Sequence, residues 1–177
     1  MGSETNLRIL LSSGEIQAGV GRLAEEIGRD YRGKAPLLIG ILKGSFMFMA
    51  DLIRLLDFPL RVEFIGVSSY GSGTESSGSI KIGPALRIPI KGRDVLVVED
   101  IVDSGLTTSF VLEYLRKKRP ASLKLCALAD KPSRRQVPVN IDYLGFTVPN
   151  KFLVGYGLDW NQKFRNLPDI CFIEEEC

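Results

Sequence analysis

The run Val95-Leu-Val-Val-Glu-Asp-Ile-Val-Asp-Ser-Gly-Leu-Thr-Thr108 constrains the fold more than any other part of the sequence. Its first four residues are apolar and mostly β-branched, which predicts a buried strand that ends at the carboxylates of Glu99 and Asp100. A short loop with Asp103 follows, and Ser, Gly and Thr at 104–108 then begin a predicted helix. A helix N-terminus presents unpaired N–H groups and the positive end of its dipole, so this loop predicts a phosphate site.

The two carboxylates that precede the loop, Glu99 and Asp100, have the wrong charge for a phosphate. They suit sugar hydroxyls or a Mg²⁺ ion, and a phosphorylated sugar therefore fits both halves of the run. The sequence has neither G-x-G-x-x-G nor a Gly-Lys-Ser/Thr ending here, which argues against a Rossmann or P-loop nucleotide site. The competing interpretation is a buried strand whose terminal acids only cap the next helix.

Composition limits the classes of protein that fit. With 177 residues and 45% hydrophobic content, the chain can form one domain with a full core. The net charge of +2 argues against an extended nucleic-acid surface, and the absence of histidine excludes Ser-His and Cys-His catalysis. Three cysteines without C-x-x-C spacing predict neither a disulfide framework nor a zinc site, so we expect a reducing cytoplasm. Charged residues interrupt the most apolar region, 35–56, and we expect no membrane partner.

Strand and helix patterns alternate along the chain. A capping box at Ser12 and Glu15 begins an amphipathic helix. Further strands are predicted at Leu37–Leu42, Arg61–Ser68 and Leu123–Ala129, a helix at about 46–56, and a Gly/Ser-rich loop at 70–79. This order predicts an α/β fold, a mostly parallel sheet with helices on both faces, whose ligands bind at the carboxyl ends of the strands. From about residue 136 onward, short Pro- and Gly-rich patterns predict a small subdomain over that site.

The 95–108 run resembles the ribose-phosphate signature of the type I phosphoribosyltransferases. Its Glu-Asp pair, followed two residues later by Asp-Ser-Gly, is similar to the hypoxanthine-guanine branch. Four more segments match that branch in order: Leu42-Lys-Gly-Ser45, Ser69-Tyr70, Ala129-Asp-Lys-Pro132, and Lys151-Phe-Leu-Val-Gly-Tyr-Gly-Leu-Asp159 with Arg165. The resemblance therefore extends from about residue 37 to 172. It implies the type I fold as one domain over 1–177, with a hood subdomain formed by about 136–177 and the N-terminal segment.

The resemblance also implies roles for individual residues of the sugar and pyrophosphate sites. The phosphoribosyl group would be bound by Glu99, Asp100, Asp103, Ser104, Gly105, Leu106 and Thr107. Asp103 would also be catalytic, accepting the proton that leaves the purine near N7. Pyrophosphate would be held by Lys43, Gly44 and Arg165, with a cis peptide bond between Leu42 and Lys43. Ser69 and Tyr70 would belong to a lid that closes over the reacting carbon and excludes water.

The purine site follows from the same resemblance. Lys131 would donate to the oxygen at purine position 6, which favours an oxopurine over adenine. Phe152 would stack on the base, and the backbone of Leu153 would meet its edge. Asp159 would lie at the purine site and hold Mg²⁺, with Glu99 and Asp100 as further metal ligands. The role of Asp130, beside Lys131, stays open.

The implied activity is Mg²⁺-dependent purine salvage. Phosphoribosyl pyrophosphate and a 6-oxopurine base, hypoxanthine or guanine, would give the purine nucleoside monophosphate IMP or GMP and pyrophosphate. The implied partners are these small molecules, with no nucleic acid and no membrane, and the assembly would be a homodimer or homotetramer. Three alternatives remain: a xanthine-preferring relative, a regulatory protein that keeps the fold but binds RNA, and a paralogue that binds nucleotide without catalysis.

Overall fold

The computed structural model describes residues 6–69, 80–83 and 86–174. Within these residues a main sheet has six strands in the order β4-β3-β2-β5-β6-β7, and a small antiparallel sheet has three, in the order β1-β9-β8. The elements are β1 (Leu7–Leu11), α1 (Ser13–Tyr31), β2 (Leu37–Leu42), α2 (Phe46–Leu55), β3 (Arg61–Ser69), β4 (Ile80–Ile82), β5 (Asp94–Val102), α3 (Leu106–Arg116), β6 (Ser122–Asp130), β7 (Tyr143–Thr147), β8 (Leu153–Val154) and β9 (Ile170–Ile173). A short 3₁₀ turn covers Pro132–Arg134.

Helices cover both faces of the main sheet, which confirms the predicted fold class. Neighbouring strands are parallel throughout the sheet except for β3 and β4. Successive residues of β2 point to opposite faces: Leu38 packs in the core with α1 and α2, whereas Leu37 and Ile39 pack in the core with α3. A strand covered on both faces has to be apolar throughout, as the 37–42 run is. The carboxyl ends of β2, β5 and β6 consequently lie side by side.

The capping box predicted at the start of α1 is present. Ser12 is the N-cap, its hydroxyl accepts from the backbone N–H of Glu15, and the Glu15 carboxylate accepts from the backbone N–H of Ser12 at 2.9 Å. The pKa of Glu15 lies below its ordinary value because the Ser12 side chain and backbone donate to the carboxylate. This reciprocal pair fixes where the first helix begins.

The strand bounds differ from the sequence prediction by one residue at an end of β3 and at each end of β6, and by more at the end of β5. Strand β5 does not end at Glu99 and Asp100 but continues to Val102, because β6 extends alongside it and pairs Val102 with Asp130. Strand β7, which lies beyond the predicted boundary near residue 136, belongs to the main sheet, where it pairs with β6, and the extent of the subdomain stays a prediction. The small sheet takes its strands from residues 7–11, 153–154 and 170–173, and we call it the hood.

Side-chain hydrogen bonds attach residues 155–165, which follow β8 and which we call the hood segment, to the helices of the main body. The hydroxyl of Tyr156 donates to Asp51 of α2 at 2.6 Å, and the Gln17 amide of α1 donates to the same carboxylate at 2.9 Å. Burial disfavours the charge of Asp51, but the bonds from Tyr156, Gln17 and Arg54 hold its pKa below the ordinary value. The charged Asp51 therefore joins α1, α2 and the hood segment.

Candidate active site

A concavity of about 240 Å³ lies at the carboxyl ends of β2 and β5. It is lined by most of the residues expected to bind a sugar phosphate, together with apolar residues of the strands. The lining residues are Ile41, Leu42, Gly44, Val67, Glu99, Asp100, Ile101, Asp103, Ser104, Gly105, Thr107 and Thr108. Leu106 is not among them, and its side chain is exposed. The predicted phosphoribosyl residues thus meet around one cavity, apart from the side chain of Leu106.

The loop between β5 and α3, which is predicted to bind the 5′-phosphate, forms one end of this concavity. Gly105 is the N-cap of α3 with φ 83°, in the left-handed region that favours glycine, and no side chain caps the helix. The Ser104 hydroxyl accepts from the backbone N–H of Leu106 at 3.4 Å. The first turn of α3 therefore presents its backbone N–H groups and the positive end of its dipole, an arrangement that suits an anion.

Two buried carboxylates, Glu99 and Asp100, lie at the other end of the concavity. Burial raises the pKa of both groups, and the nearby Asp100 raises the pKa of Glu99 further. Within the described part of the chain, Oε2 of Glu99 is buried without a hydrogen-bond partner. A buried acceptor without a partner is costly, so this end suits a group that brings hydroxyl donors or positive charge.

The loop of residues 43–45 after β2, which we call the pyrophosphate loop after its predicted ligand, packs directly against Asp100. A Cβ on Gly44 would lie 1.7 Å from Oδ2 of Asp100, so the close approach of loop and carboxylate requires glycine. The peptide bond between Leu42 and Lys43 is cis, as the resemblance implied. The structure therefore brings this loop and the carboxylates of β5 into contact.

Asp103 lies between cations from the segment after β6. The Lys131 ammonium, which is buried, donates to Oδ2 of Asp103 at 3.4 Å, and Nε of Arg134 lies 3.1 Å from Oδ1 without hydrogen-bond geometry. Sequence reasoning assigned Asp103 and Lys131 to the purine from separate motifs. The structure places their side chains within one hydrogen bond of each other.

The two cations predicted for pyrophosphate, Lys43 and Arg165, converge on one acceptor. The side-chain oxygen of Gln162 accepts from Lys43 at 3.2 Å and from Arg165 at 3.4 Å. Arg165 also donates to the Gly157 carbonyl at 2.7 Å and lies 2.6 Å from the Asp159 carboxylate. Asp159 compensates the charge of Arg165, whereas the Gln162 oxygen that accepts from Lys43 is neutral, so the positive charge of Lys43 is available for an anion.

Phe152 and Leu153 of the purine prediction differ in exposure. Phe152 is 54% exposed, whereas Leu153 is buried in β8. Phe152 lines a second concavity of about 470 Å³ with Lys151, Trp160 and Phe172, but not the cavity around Asp103. The exposed ring of Phe152, just before β8, suits stacking, and the contact with a base stays a prediction.

The predicted metal ligands are not gathered into a preformed cage. Among the described residues, no three carboxylate, cysteine or histidine side chains are grouped so that they could hold a metal ion. Asp159 instead pairs with Arg165 and accepts from the backbone N–H of Gln162 at 2.7 Å. Glu99 and Asp100 are adjacent carboxylates, and their role as metal ligands stays a prediction, since Mg²⁺ commonly uses one or two carboxylates together with substrate phosphates. For the lid, Ser69 ends β3, and Tyr70 lies outside the described residues.

Comparison with known proteins agrees with this geometry. Residues 8–161 match the family described as the phosphoribosyl transferase domain. The chain is 48% identical over 170 residues to the hypoxanthine-guanine phosphoribosyltransferase of Aquifex aeolicus (strain VF5), covering 96% of each chain. This chain belongs to the hypoxanthine-guanine phosphoribosyltransferase family.

Structural similarity to the family is equally extensive. A crystal structure of a hypoxanthine-guanine phosphoribosyltransferase from Bacillus anthracis str. 'Ames Ancestor' superposes with a TM-score of 0.90 at 43% identity, covering 97% of this chain and 100% of that one. The chain is also 46% identical over 169 residues to the bifunctional protein TilS/HprT of Listeria monocytogenes serotype 4b (strain F2365). It spans about a quarter of that longer protein, 26% of its length.

Sequence reasoning missed two contributors to this phosphoribosyltransferase site. Gln162 joins Lys43 to Arg165, and Gly157 lets the hood segment approach the pyrophosphate loop, since its Cβ would lie 2.1 Å from the Gly44 carbonyl oxygen. Both residues lie within or beside the segment 151–165 that carries the family resemblance. Residue type alone does not mark Gln162 and Gly157 as site residues. Their roles depend on contacts with Lys43 and Gly44, which lie more than a hundred residues away along the sequence.

Proposed function

We propose that this protein transfers the 5-phosphoribosyl group from phosphoribosyl pyrophosphate to hypoxanthine or guanine, giving IMP or GMP and pyrophosphate. The observation that carries the proposal is the position of the Asp103 carboxylate. It lies at the loop that precedes the α3 N-terminus and 3.4 Å from the buried Lys131 ammonium. A base that donates a proton to Asp103 and accepts from Lys131 matches a 6-oxopurine, whereas the amino group of adenine mismatches Lys131.

Different residues around the cavity would bind different parts of the substrates and assist different steps of the transfer. The first turn of α3 would bind the 5′-phosphate, and Glu99 and Asp100 would bind the ribose hydroxyls and stabilise positive charge on the sugar. Lys43 and Arg165 would stabilise the departing pyrophosphate. Asp103 would accept the proton from the purine nitrogen as it attacks the ribose carbon, a step typically worth ~10²–10⁴ in rate.

We propose Mg²⁺ as the cofactor, held by Glu99 and Asp100 with oxygens of phosphoribosyl pyrophosphate. The buried Oε2 of Glu99 and the adjacent Asp100 carboxylate support this assignment. When bound, the ion would neutralise charge on the leaving pyrophosphate. Asp159, also predicted as a ligand, would have to exchange its pairing with Arg165 for the ion or act through a water molecule.

Assembly and location complete the proposal. We expect a homodimer or homotetramer, a view supported by large apolar side chains such as Leu55 and Phe64 at the surface. Sedimentation equilibrium tests it, and a monomer at micromolar concentration would contradict it.

In the described residues no helix has the length and apolar character needed to cross a bilayer. Cys126 and Cys171 are unpaired thiols, which supports a cytoplasmic location.

The test is nucleotide formation from phosphoribosyl pyrophosphate and Mg²⁺ with hypoxanthine, guanine, xanthine, adenine and uracil in parallel. We expect product with hypoxanthine or guanine, and a loss of ~10²-fold or more in Asp103→Asn. The matched control is Asp57→Asn, which removes an exposed carboxylate on the loop after α2 and should retain full activity. Product with xanthine alone, or with no base, would overturn the proposal.

A further inference from the structure

Arg135 joins three acceptors, two from the end of β5 and the loop that follows it and one from the end of β6. Its guanidinium donates to the carbonyl of Val102 at 3.3 Å and to the carbonyl of Asp103 at 3.2 Å. The same guanidinium forms an ion pair with the carboxylate of Asp130. Val102 is the last residue of β5 and Asp130 the last of β6. Arg135 therefore connects the ends of the two strands that lead directly into Asp103 and Lys131.

The segment that contains Arg135 also packs against the loop between β5 and α3. The carbonyl of Ser104 accepts from the backbone N–H of Gln136 at 2.9 Å and of Val137 at 3.3 Å. A Cβ on Gly105 would lie 3.0 Å from Cδ of Arg135. The loop is thus held along its length by backbone and side-chain contacts with 135–137, and Arg135 supplies the side chain.

Burial distinguishes the ion pair of Arg135 and Asp130 from an ion pair at the surface. The side chains of Arg135 and Asp130 are 17% and 15% exposed, whereas Arg134, which also lies near Asp103, is 53% exposed. The carboxylate of Asp130 faces Arg135 and not Lys131, so the ammonium of Lys131 remains directed at Asp103. Exposed ion pairs contribute little, but a pair this enclosed, with further bonds to two carbonyls, fixes geometry.

We propose that Arg135, oriented by Asp130, is a positioning residue that fixes the carboxylate of Asp103 relative to the ammonium of Lys131. The inference rests on the proposed function, in which both groups contact the purine. The planar guanidinium is suited to this task because its donors can reach several acceptors at once, whereas a lysine ammonium is a single point of charge. Arg135 touches no reacting atom and acts through the loop that carries Asp103.

Steady-state kinetics of the full chain test the assignment. We expect Arg135→Gln to lower kcat by ~10²-fold, the loss typical of a misplacement of about 1 Å, with KM for phosphoribosyl pyrophosphate changed by less than about threefold. Arg135→Lys keeps the charge and should recover little of that loss. Full recovery by lysine would show that charge alone is needed, which would overturn the positioning role.

The matched control is Arg22→Gln. Arg22 also donates to two backbone carbonyls, those of Leu144 and Gly145 at 3.1 and 2.7 Å, and pairs with Glu26, but it joins α1 to β7 outside the cavity. We expect it to lower the melting temperature as Arg135→Gln does, while kcat stays unchanged. An equal loss of kcat in Arg22→Gln would assign the effect to general destabilisation and overturn the proposal.

A double-mutant cycle identifies the residue through which Arg135 acts. In an Asp103→Asn background we expect Arg135→Gln to lower kcat by less than about threefold, because the positioned group is already gone. The same ~10²-fold loss in both backgrounds would contradict the proposal.

Amide hydrogen exchange of residues 102–107 is independent of turnover. It should accelerate in Arg135→Gln and not in Arg22→Gln. If the unmutated protein makes no nucleotide, the proposed function fails, and this measurement alone decides whether Arg135 fixes the loop. Unchanged exchange in Arg135→Gln would overturn the inference.

Discussion

The contact between Gly157 and the pyrophosphate loop predicts a severe effect of Gly157→Ala. Gly157 has φ 99°, and a Cβ there would lie 2.1 Å from the carbonyl oxygen of Gly44. The backbone conformation costs a side chain about 1–3 kcal/mol. To restore a separation of at least 3.0 Å, the hood segment and the loop would have to move apart by about 1 Å, which costs a further 1–3 kcal/mol as overpacking.

This displacement would move Gly44 and its neighbour Lys43, which is proposed to stabilise the departing pyrophosphate. We expect kcat/KM for phosphoribosyl pyrophosphate to fall by ~10²-fold, because a misplacement of 1 Å at a binding group typically costs that much. The two costs together come to about 2–6 kcal/mol, so we also expect the melting temperature to fall by roughly 4–24 °C, at about 2–4 °C per kcal/mol for a chain of this size.

Steady-state kinetics and thermal unfolding measure the two effects, with Gly21→Ala as the matched control. Gly21 lies in α1, and a Cβ there would meet nothing within 4 Å. Alanine should stabilise the helix by about 0.5–1 kcal/mol without changing the kinetics. If Gly157→Ala retained both the activity and the melting temperature of the unmutated protein, the hood segment would not constrain the pyrophosphate loop, and the reasoning would be refuted.

Two further predictions concern the first helix and the metal. Ser12→Ala should lower the melting temperature by about 2–4 °C at neutral pH through loss of the N-cap. Because the pKa of Glu15 is lowered in the folded protein, its contribution is complete above the ordinary value of 4.5 and is lost as pH falls through the folded value. On acidification the melting temperature of Ser12→Ala should therefore fall by less than that of the unmutated protein. An equal fall in the two proteins would refute this prediction. Chelation with EDTA should abolish nucleotide formation without changing the melting temperature, since the described residues hold no group of three metal ligands; marked stabilisation by Mg²⁺ alone would contradict this.

Local patterns predicted much of the architecture because local physics decides it. The apolar run 37–42, the capping box at Ser12 and the Ser/Gly/Thr loop after β5 each specify their element within a few residues. The parallel sheet then follows from the alternation of strands and helices, and it brings the loops at 43–45 and 103–107 to one edge.

Contacts between distant segments could not be predicted in this way. Strand β7 joins the main sheet only because β6 offers it an edge, and β5 passes Asp100 only because β6 continues beside it. The convergence of Lys43 and Arg165 on Gln162 and the bonds of Arg135 to the Asp103 loop depend on how separate segments meet. A residue whose role is to join two segments leaves no periodic signal in either.

The pairing of β1 with β9 determines how mechanical load would enter this molecule. Leu7 lies opposite Ile173, and the backbone N–H of Glu174 donates to the carbonyl of Asn6 at 3.0 Å, so the two ends of the described chain emerge side by side. Tension that separates residues 6 and 174 would open this antiparallel ladder one hydrogen bond at a time, before loading the parallel sheet. Because β9 also pairs with β8, beside Phe152, such tension would open the hood first, which a force-extension record would register as an early low-force event ahead of unfolding of the main sheet.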